Sequence, residues 1–521
     1  MAGDEPVRAA VYNRFWHSQG GGERHCGMIA QVLSQDGVEV DLIGPTEVDK
    51  DELADHLGLD LSRVRLRVVP DRGDLATAAL SQEYDLWVNG SYMSRLAPRA
   101  TRSAYLCYFP TPFDADLAPW QRALARGVGQ FASAHPGGLD YGNGWFPPEG
   151  GRRRRWHWAS NDAVVVLPPS DRERIVRLEL GGPAMPNPVD LQVVDDEGQE
   201  YFSTTVTPRF VLHRFTVPAS GRGTELHFRA PTFRPAAGDT RELAVAVSGM
   251  RVEGGSYGPR QRLALHYPWL LRAPKDLAFL RSYDAVMANS AFTSGWISKL
   301  WDTDADLLFP PIQVQRLHPA AERERAVITV GRFFAPGLGH AKRQKEMVQC
   351  FAAASRAGRL PGWKMYVVGG MEDSQRGYVD SVRAAGAGAP VEVITNAPRP
   401  RVEQLLSTSS VFWSATGLGE DEDKRPWASE HFGMTTVESM AGGCVPVVID
   451  RAGQKEIVRE GVDGFRWSTT DQLLERTVQL SADEPLRARL AASACARAQA
   501  FSEDAFADRW HAIVAKHALL G

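Results

Sequence analysis

Apolar residues recur along this chain in two different rhythms. In the first stretch, short apolar or β-branched runs stand apart: VRAAVYN (7–13), VEVDLIG (38–44), YDLWVNG (84–90) and AYLCYFP (104–110). Between the first two, GERHCGMIAQVLSQDG carries apolar residues at helical spacing, and Gly37 is placed as a helix stop. Strand, helix, strand in this order predicts a parallel α/β sheet. After about residue 135 the rhythm changes. HPGGLDYGNGWFPPEGGRRRRWHW is rich in Gly and Pro and reads as a loop. DAVVVLP, RIVRLELGG, VDLQVV, QEYFSTTV, VLHRFTVPA, TELHFRAP and RELAVAVSGMRVE follow as short strands parted by turn signals, with no helical text between them. That pattern predicts an antiparallel sandwich over roughly 145–255. YDAVMANSAFTSGWISKLW then returns to a strand followed by a helix, so the sandwich interrupts an α/β domain. LLFPPIQVQRLHPAAERER reads as a linker, and AVITVGRF, KMYVVGG, VEVITNAP, SVFWSATG and CVPVVID predict a second parallel sheet. Two such sheets imply a cleft with ligands at the C-terminal ends of the strands.

Composition narrows the class. A chain of 521 residues predicts two or three domains. Hydrophobic residues at 43% and charged residues at 23% are typical of a soluble globular protein. Lys+Arg of 59 against Asp+Glu of 63 argues against nucleic acid as the main partner, while leaving room for a local basic patch. No apolar run reaches bilayer-spanning length, and the N-terminus lacks a basic stretch followed by an apolar one, so no signal peptide is expected. Cys26, Cys107, Cys350, Cys444 and Cys495 are scattered without a CxxC, which reads as reduced thiols in a cytosolic protein and makes zinc an unlikely tenant.

Four stretches fall at predicted strand ends and carry the chemistry. Gly20, Gly21 and Gly22 follow the first strand and open a helix. Glycines let backbone approach a ligand, and a helix N-terminus favours an anion; a tight turn is the plainer reading. Arg332 ends a strand and Lys342 precedes a helix, two cations able to neutralise a diphosphate, although most such charges are simply solvated. WASEHFGMTTVESMAGGCVPVV places Glu430 before a helix start at Gly433 and Glu438 about a turn inside it. Glu438 is suited to accept both hydroxyls of a ribose, with Glu430, Phe432 and Gly433 facing a sugar. The acidic run GEDED (419–423) reads as a solvated loop, with no metal site beside the other groups.

These residues resemble the retaining glycosyltransferases of family 4, whose GT-B fold has two Rossmann-like domains facing a cleft. GGGERHCGMIAQVLSQDGVEVDLIG looks like that family's glycine-rich loop and first helix, and Glu430 to Glu438 matches its E-x7-E motif. Arg332 and Lys342 match its GR…K pair, with Lys342 nine residues before Phe351. LWVNGSY, NSAFTSGWISKLW and EHFGMTTVESMAGGCVPVV look closest to the branch of mannosyltransferases that extend lipid-linked oligosaccharides. The resemblance covers about 7–135 and 256–521 and leaves out the sandwich. It implies residues 1–140 as the first part of the acceptor-side domain, 141–255 as an inserted sandwich, and 256–315 as the rest of that domain and a linker. It further implies 316–500 as the nucleotide-sugar domain and 501–521 as a C-terminal helix crossing back.

By the same resemblance, Glu438 holds the ribose, Glu430 contacts the donor sugar, and Arg332 and Lys342 bind the diphosphate. Catalysis needs no metal or cofactor and retains anomeric configuration. The donor is a nucleotide-diphosphate sugar, GDP-mannose, a UDP-sugar or another. The acceptor is a glycan or a lipid-linked glycan, with the protein cytoplasmic or peripheral to the inner face of a membrane. One departure stands out. Many relatives carry a histidine after the fourth strand, where CYFPTP here places Tyr108; Tyr108 or His17 takes over its role, or the site is altered. Two other readings remain: a sugar-nucleotide epimerase of the same fold, or a non-catalytic glycan-binding protein on that scaffold. Trp145, Trp156 and Trp158 with Arg152 to Arg155 at the sandwich entry read either as a platform for acceptor or lipid head groups or as plain core and solvated loop.

Overall fold

The computed structural model describes residues 6–69, 74–112, 117–128, 131, 139–141, 144–146, 149–150, 154–167, 169–182, 185–221, 223–235, 241–253, 263, 267, 269–270, 277–335 and 341–520. The chain forms two compact units, one of Met1–Val68, Ser81–Thr111 and Arg281–Gly521, the other of Val69–Leu80 and Pro112–Leu280.

The first sheet begins with β1 (Arg8–Tyr12), β2 (Glu39–Gly44), β3 (Arg65–Val68), β4 (Leu86–Asn89) and β5 (Arg102–Cys107). β1 is buried along nearly its whole length and lies parallel to β2 on one side and β4 on the other, with Ala9 opposite Val40 and Leu86. Strands covered on both faces read as continuous apolar runs, which is why the sequence marks these so clearly. β3 escapes that pattern: RLRV alternates charge with aliphatics at the sheet edge, as edge strands do. The apolar run predicted through residue 110 also ends early as a strand; β5 stops at Cys107, and Tyr108 and Phe109 leave the sheet.

The second unit holds β6 (Asp140–Tyr141), β7 (Glu149–Gly150), β8 (Arg155–Trp158), β9 (Asp162–Leu167), β10 (Arg174–Gly181), β11 (Val189–Val194), β12 (Glu200–Val206), β13 (Val211–Val217), β14 (Thr224–Arg229) and β15 (Ala246–Val252). They form two five-stranded sheets, β13-β10-β15-β8-β7 and β12-β11-β14-β9-β6, and inward residues of both join one core around Leu178, Val193, Leu226 and Phe228. The three entry tryptophans belong to this core. Trp158 is buried within it, and Trp145 and Trp156 pack against it, with Trp145 Nε1 donating to Val164 O at 2.8 Å. Of the two readings of these rings, the structure bears out plain core and overturns the sugar platform. Of the arginine run, Arg152 and Arg153 lie outside the described residues. Arg154 pairs with Glu179 at 3.2 Å and lies over the Phe210 ring, so it is no free anion binder.

β16 (Ala285–Ala288) and β17 (Asp306–Leu307) complete the first sheet in the order β17-β16-β5-β4-β1-β2-β3, with order reversing between β1 and β4. β18 (Glu324–Val330), β19 (Lys364–Gly369), β20 (Val391–Thr395), β21 (Ser409–Ser414), β22 (Val445–Ile449) and β23 (Phe465–Trp467) form a second parallel sheet, β20-β19-β18-β21-β22-β23, whose order reverses between β18 and β21. The linker and the segment near the C-terminus run side by side, with Ile312 N donating to Phe501 O at 3.0 Å. The last helix, Glu503–His517, then places Phe506, Trp510 and Ile513 in the core of the first sheet. Burial of each such side chain contributes roughly 1.5–3 kcal/mol, against about 0–1 kcal/mol for an exposed ion pair, so apolar packing rather than charge docks this helix. Among the described residues no helix is long and apolar enough to cross a membrane.

Charge locks the far end of that helix. Lys516 Nζ and His517 Nε2 lie 2.6 and 2.7 Å from the two oxygens of Asp306 in β17. Burial alone would raise the Asp306 carboxyl, but these partners overcome it and hold the group below its usual value. A carboxylate depressed in the folded state adds stability above its unfolded value of about 3.9, and that stability is lost as pH falls through the lower folded value. Asp306→Asn is therefore expected to lower the melting temperature at neutral pH and to bring wild type and variant together in strong acid; a constant gap at every pH would refute the linkage.

Candidate active site

Where β18 ends, Gly331 and Arg332 leave the sheet at its reversal point. A Cβ at Gly331 would stand 2.9 Å from Cγ of Lys342, so glycine is what lets the lysine stem lie across the strand end. The loop is held from below by Gln344, buried at the start of the helix Gln344–Arg356. Its Nε2 donates to the carbonyls of Gly331 and Arg332 at 3.2 and 3.0 Å. Arg343, in left-handed backbone at φ 57°, reaches Glu420 at 2.8 Å, and Arg425 reaches the same carboxylate at 2.9 Å. Glu422 accepts from Ala452 N at 3.0 Å. The acidic run is thus only in part the solvated loop its composition predicts: Asp421 and Asp423 are exposed, but Glu420 braces the turn that presents Lys342 and Glu422 ties the run to the loop after β22.

Lys342 Nζ lies 2.5 Å from Oε2 of Glu430, and Thr416 Oγ1, beyond the end of β21, donates to that same oxygen at 3.1 Å. Both partners of the ion pair are mostly buried, with side chains 22% and 19% exposed. Glu430 is fixed through its backbone too, Gly453 N donating to its carbonyl at 2.9 Å. Gly433 then turns the chain into the helix Met434–Ala441 at φ 118°, a conformation that glycine alone adopts without strain; a Cβ there would also meet Gln454 Nε2 at 2.6 Å. Glu438 is buried inside the helix and accepts from Arg399 Nη2 at 2.7 Å. The Glu438 charge is the chief cause that holds the Arg399 guanidinium above its usual value.

On the other wall, Gly20 caps the helix Gly21–Gln35, and Glu23 organises the loop before it. The Glu23 carboxylate, 6% exposed as a residue, accepts from Ser18 Oγ at 2.7 Å, Gly20 N at 2.8 Å and Asn13 Nδ2 at 3.1 Å. Arg332 Nη2 reaches Ser18 O at 3.5 Å, touching this loop from the opposite sheet. Tyr108 donates its hydroxyl proton to Gly22 O at 2.7 Å and lies 3.2 Å from Cys26 Sγ. Burial pushes the phenol well above its ordinary value and the thiol up to about 12, so both stay neutral. Behind them His25 is fully buried, with no hydrogen-bond partner for either ring nitrogen among the described residues, and burial lowers it to about 3.

One cleft of about 620 Å³ collects Gly20, Gly21, Gly22, Tyr108, Arg332, Lys342, Glu430, Phe432 and Gly433 on its walls. Glu438 does not line it; neither does His17. Three contributors escape the sequence reading. His431 lines the cleft and stacks on Phe109 with ring centroids 4.2 Å apart. Arg399 orients Glu438, and Glu23 shapes the glycine loop. Glu23 carried a local signal, three residues after a helix-capping Gly; Arg399 and His431 meet their partners only through the fold. Among the described residues no three His, Cys, Asp or Glu side chains are grouped to hold a metal ion.

Residues 315–497, which carry β18 to β23 and the Arg332, Lys342, Glu430 and Glu438 positions, match the family described as "Glycosyl transferases group 1". In solved structures the whole chain is similar in fold to Anabaena Alr3699/HepE in complex with UDP, at TM-score 0.53 and 11% identity over 98% of this chain and 100% of that one. It is likewise similar to a glycosyltransferase from Rickettsia africae ESF-5, at TM-score 0.52 and 10% identity over 99% and 100%. With its two parallel sheets, this is the GT-B fold. In sequence, the chain is 27% identical over 321 residues to a GDP-Man:Man(3)GlcNAc(2)-PP-Dol alpha-1,2-mannosyltransferase of Neurospora crassa, covering 55% of each chain. It is 25% identical over 242 residues to the protein of the same description in Dictyostelium discoideum, covering 43% of this chain and 46% of that relative. The chain spans about half the length of the curated relatives it matches.

Glu23→Ala removes the shared acceptor of three donors and is expected to destabilise the protein by about 1–3 kcal/mol in chemical denaturation. Glu23→Gln keeps one oxygen and should lose less. Equal stabilities would show that the loop does not depend on this carboxylate.

Proposed function

We propose that this chain is a retaining, metal-independent hexosyltransferase of the family 4 type, moving a sugar from a nucleotide diphosphate to a glycan or glycolipid. The observation that carries the reading is one cleft holding Lys342, Glu430 and Arg332 opposite the Gly20–Gly22 loop. Arg332 and Lys342 are the diphosphate cations. In the free protein the Lys342 charge is balanced by Glu430; a diphosphate gives it a second anionic partner, and both cations then act on charge that grows as the glycosidic bond breaks. Glu430 and the backbone of Phe432 and Gly433 at the helix start face the sugar. Glu438, steadied by Arg399, takes the ribose. The acceptor hydroxyl attacks from the face the leaving group departs, and the departing phosphate oxygen takes its proton. Tyr108 shapes the glycine loop rather than moving a proton. Similarity to the mannosyltransferases supports GDP-mannose as donor and a lipid-linked glycan as acceptor.

Incubation with GDP-mannose and UDP-sugars, read as nucleotide release and as transfer to a lipid-linked oligosaccharide, tests this reading; no turnover with any donor would refute it. Arg332→Ala or Lys342→Ala should lower kcat roughly 100-fold with a smaller change in donor KM. Activity lost in EDTA and restored by a divalent metal would overturn metal independence.

Glu438→Ala should raise donor KM by about tenfold or more, the worth of a charged hydrogen bond to ribose. Arg399→Gln should raise it by a smaller factor and leave kcat in place. An unchanged KM in both variants would remove Glu438 from the donor site.

A further inference from the structure

Large apolar side chains exposed among the described residues are scattered over both units, and two of them line the cleft: Phe15 at 37% exposure and Tyr92 at 38%. They stand on the loops that follow β1 and β4, the two strands between which the order of the first sheet reverses. Loops at such a reversal form the crevice in which ligands of open α/β sheets bind. The second sheet places Arg332 at its own reversal, so both reversal points meet in one cleft.

The two loops are built alike. Asn13 Oδ1 accepts from Phe15 N at 2.9 Å, and Asn89 Oδ1 accepts from Ser91 N at 3.0 Å. Arg14 N donates to Ser91 Oγ at 3.2 Å, which joins one loop to the other. Next to Phe15, Trp16 is buried and donates from Nε1 to Ile43 O at 2.9 Å, so the loop is anchored in the core while Phe15 stays in the cleft. Tyr92 is held by its hydroxyl, 2.7 Å from Thr111 Oγ1. Both rings are thus supported without being covered, and aromatic faces left open in a cleft mark a surface for a ligand.

Chemistry selects the occupant. The cleft residues that come from the first sheet and its loops include no Lys or Arg; both cations come from the second sheet's side. An anionic group therefore belongs with Arg332 and Lys342, and a neutral one with Phe15 and Tyr92. The aromatic wall also carries Asn289, whose Oδ1 accepts from Ser290 Oγ at 3.3 Å, which leaves its amide nitrogen to donate. A pyranose has both matching surfaces, C–H faces that lie on an aromatic ring and hydroxyls at the rim that take hydrogen bonds. A lipid chain would leave the amide without a partner. We propose that Phe15 and Tyr92 form the platform on which a pyranose of the acceptor stacks, and that they thereby select the acceptor. The assignment to the acceptor rests on the hexosyltransferase reading above; the stacking itself does not depend on turnover.

Two measurements on the full chain test this. Saturation-transfer NMR with methyl α-mannopyranoside needs no reaction. The C–H protons of the sugar are expected to take saturation from wild type and to lose most of it in the double variant Phe15→Leu, Tyr92→Leu. In transfer from GDP-mannose to a lipid-linked oligosaccharide, each leucine variant alone should raise acceptor KM about five- to tenfold and leave donor KM within about twofold. Phe15→Trp and Tyr92→Phe keep a ring and should stay within about threefold of the wild-type acceptor KM, a rescue that bulk alone would not give. Thermal melting confirms that the variants fold. No saturation from wild type, an unchanged acceptor KM in both leucine variants, aromatic variants no better than leucine, or a rise confined to donor KM would overturn the proposal. Turnover absent with every donor, with saturation still dependent on the two rings, would instead refute the transferase reading and uphold the sugar platform.

Discussion

The half-buried pair of Lys342 and Glu430 is the interaction on which the arrangement of the cleft depends. An ammonium and a carboxylate at 2.5 Å, both mostly withdrawn from water, hold each other because either one alone would bear a desolvation cost. Everything around the pair keeps the two chain segments in register. Gln344 ties the Arg332 loop to the helix behind it, Thr416 shares the carboxylate, and Gly453 holds the Glu430 backbone. The lysine is therefore neutralised yet not used up. A diphosphate entering the cleft changes the balance of charge around Lys342 without unfolding anything.

The opposite wall has the complementary design. There the fixed charge, Glu23, is turned inward to the loop and spends its oxygens on Asn13, Ser18 and Gly20. The glycines are left to face the cleft with backbone rather than side chains. Tyr108 and Cys26, both neutral, close the floor beneath them. One wall offers glycine backbone beside the loop-bound Glu23, the other carries the cations, and the two are tied at the crossing of Ile312 with Phe501 and by the C-terminal helix seated in the first core. Arg24 adds to that tie, donating to Pro311 O at 3.2 Å and pairing with Glu503.

In the second unit the same residue types have other work. The tryptophans are taken up by the core: Trp158 is buried between the two sheets with Phe215, Phe228 and a set of aliphatic side chains, and Trp145 and Trp156 pack against it. Of the large apolar residues left at its surface, Trp120, Leu124 and Val128 share one face of the helix Pro119–Val128, while Val211 and Leu212 are exposed on β13.

The sequence alone determined the alternation of elements and the types of group at the strand ends. Strands buried on both faces must be continuously apolar, and that signal is local; edge strands such as β3 and β23, half polar or only three residues long, carry no such mark. Gly331 and Gly433 were also legible as glycines, but their reasons, the lysine stem and the left-handed turn, are contacts and angles that no spacing reveals. Composition does not tell a bracing acid from a solvated one, or a core ring from an exposed one, so the run 419–423 read as solvated throughout and the entry tryptophans stayed open between platform and core until packing decided for the core. Only the tertiary structure decided that Arg399 faces Glu438, that Thr416 shares the Glu430 oxygen and that His431 stacks on Phe109. Each of these pairs joins residues that no helical or strand period relates, and only the packing of separate segments brings them within reach.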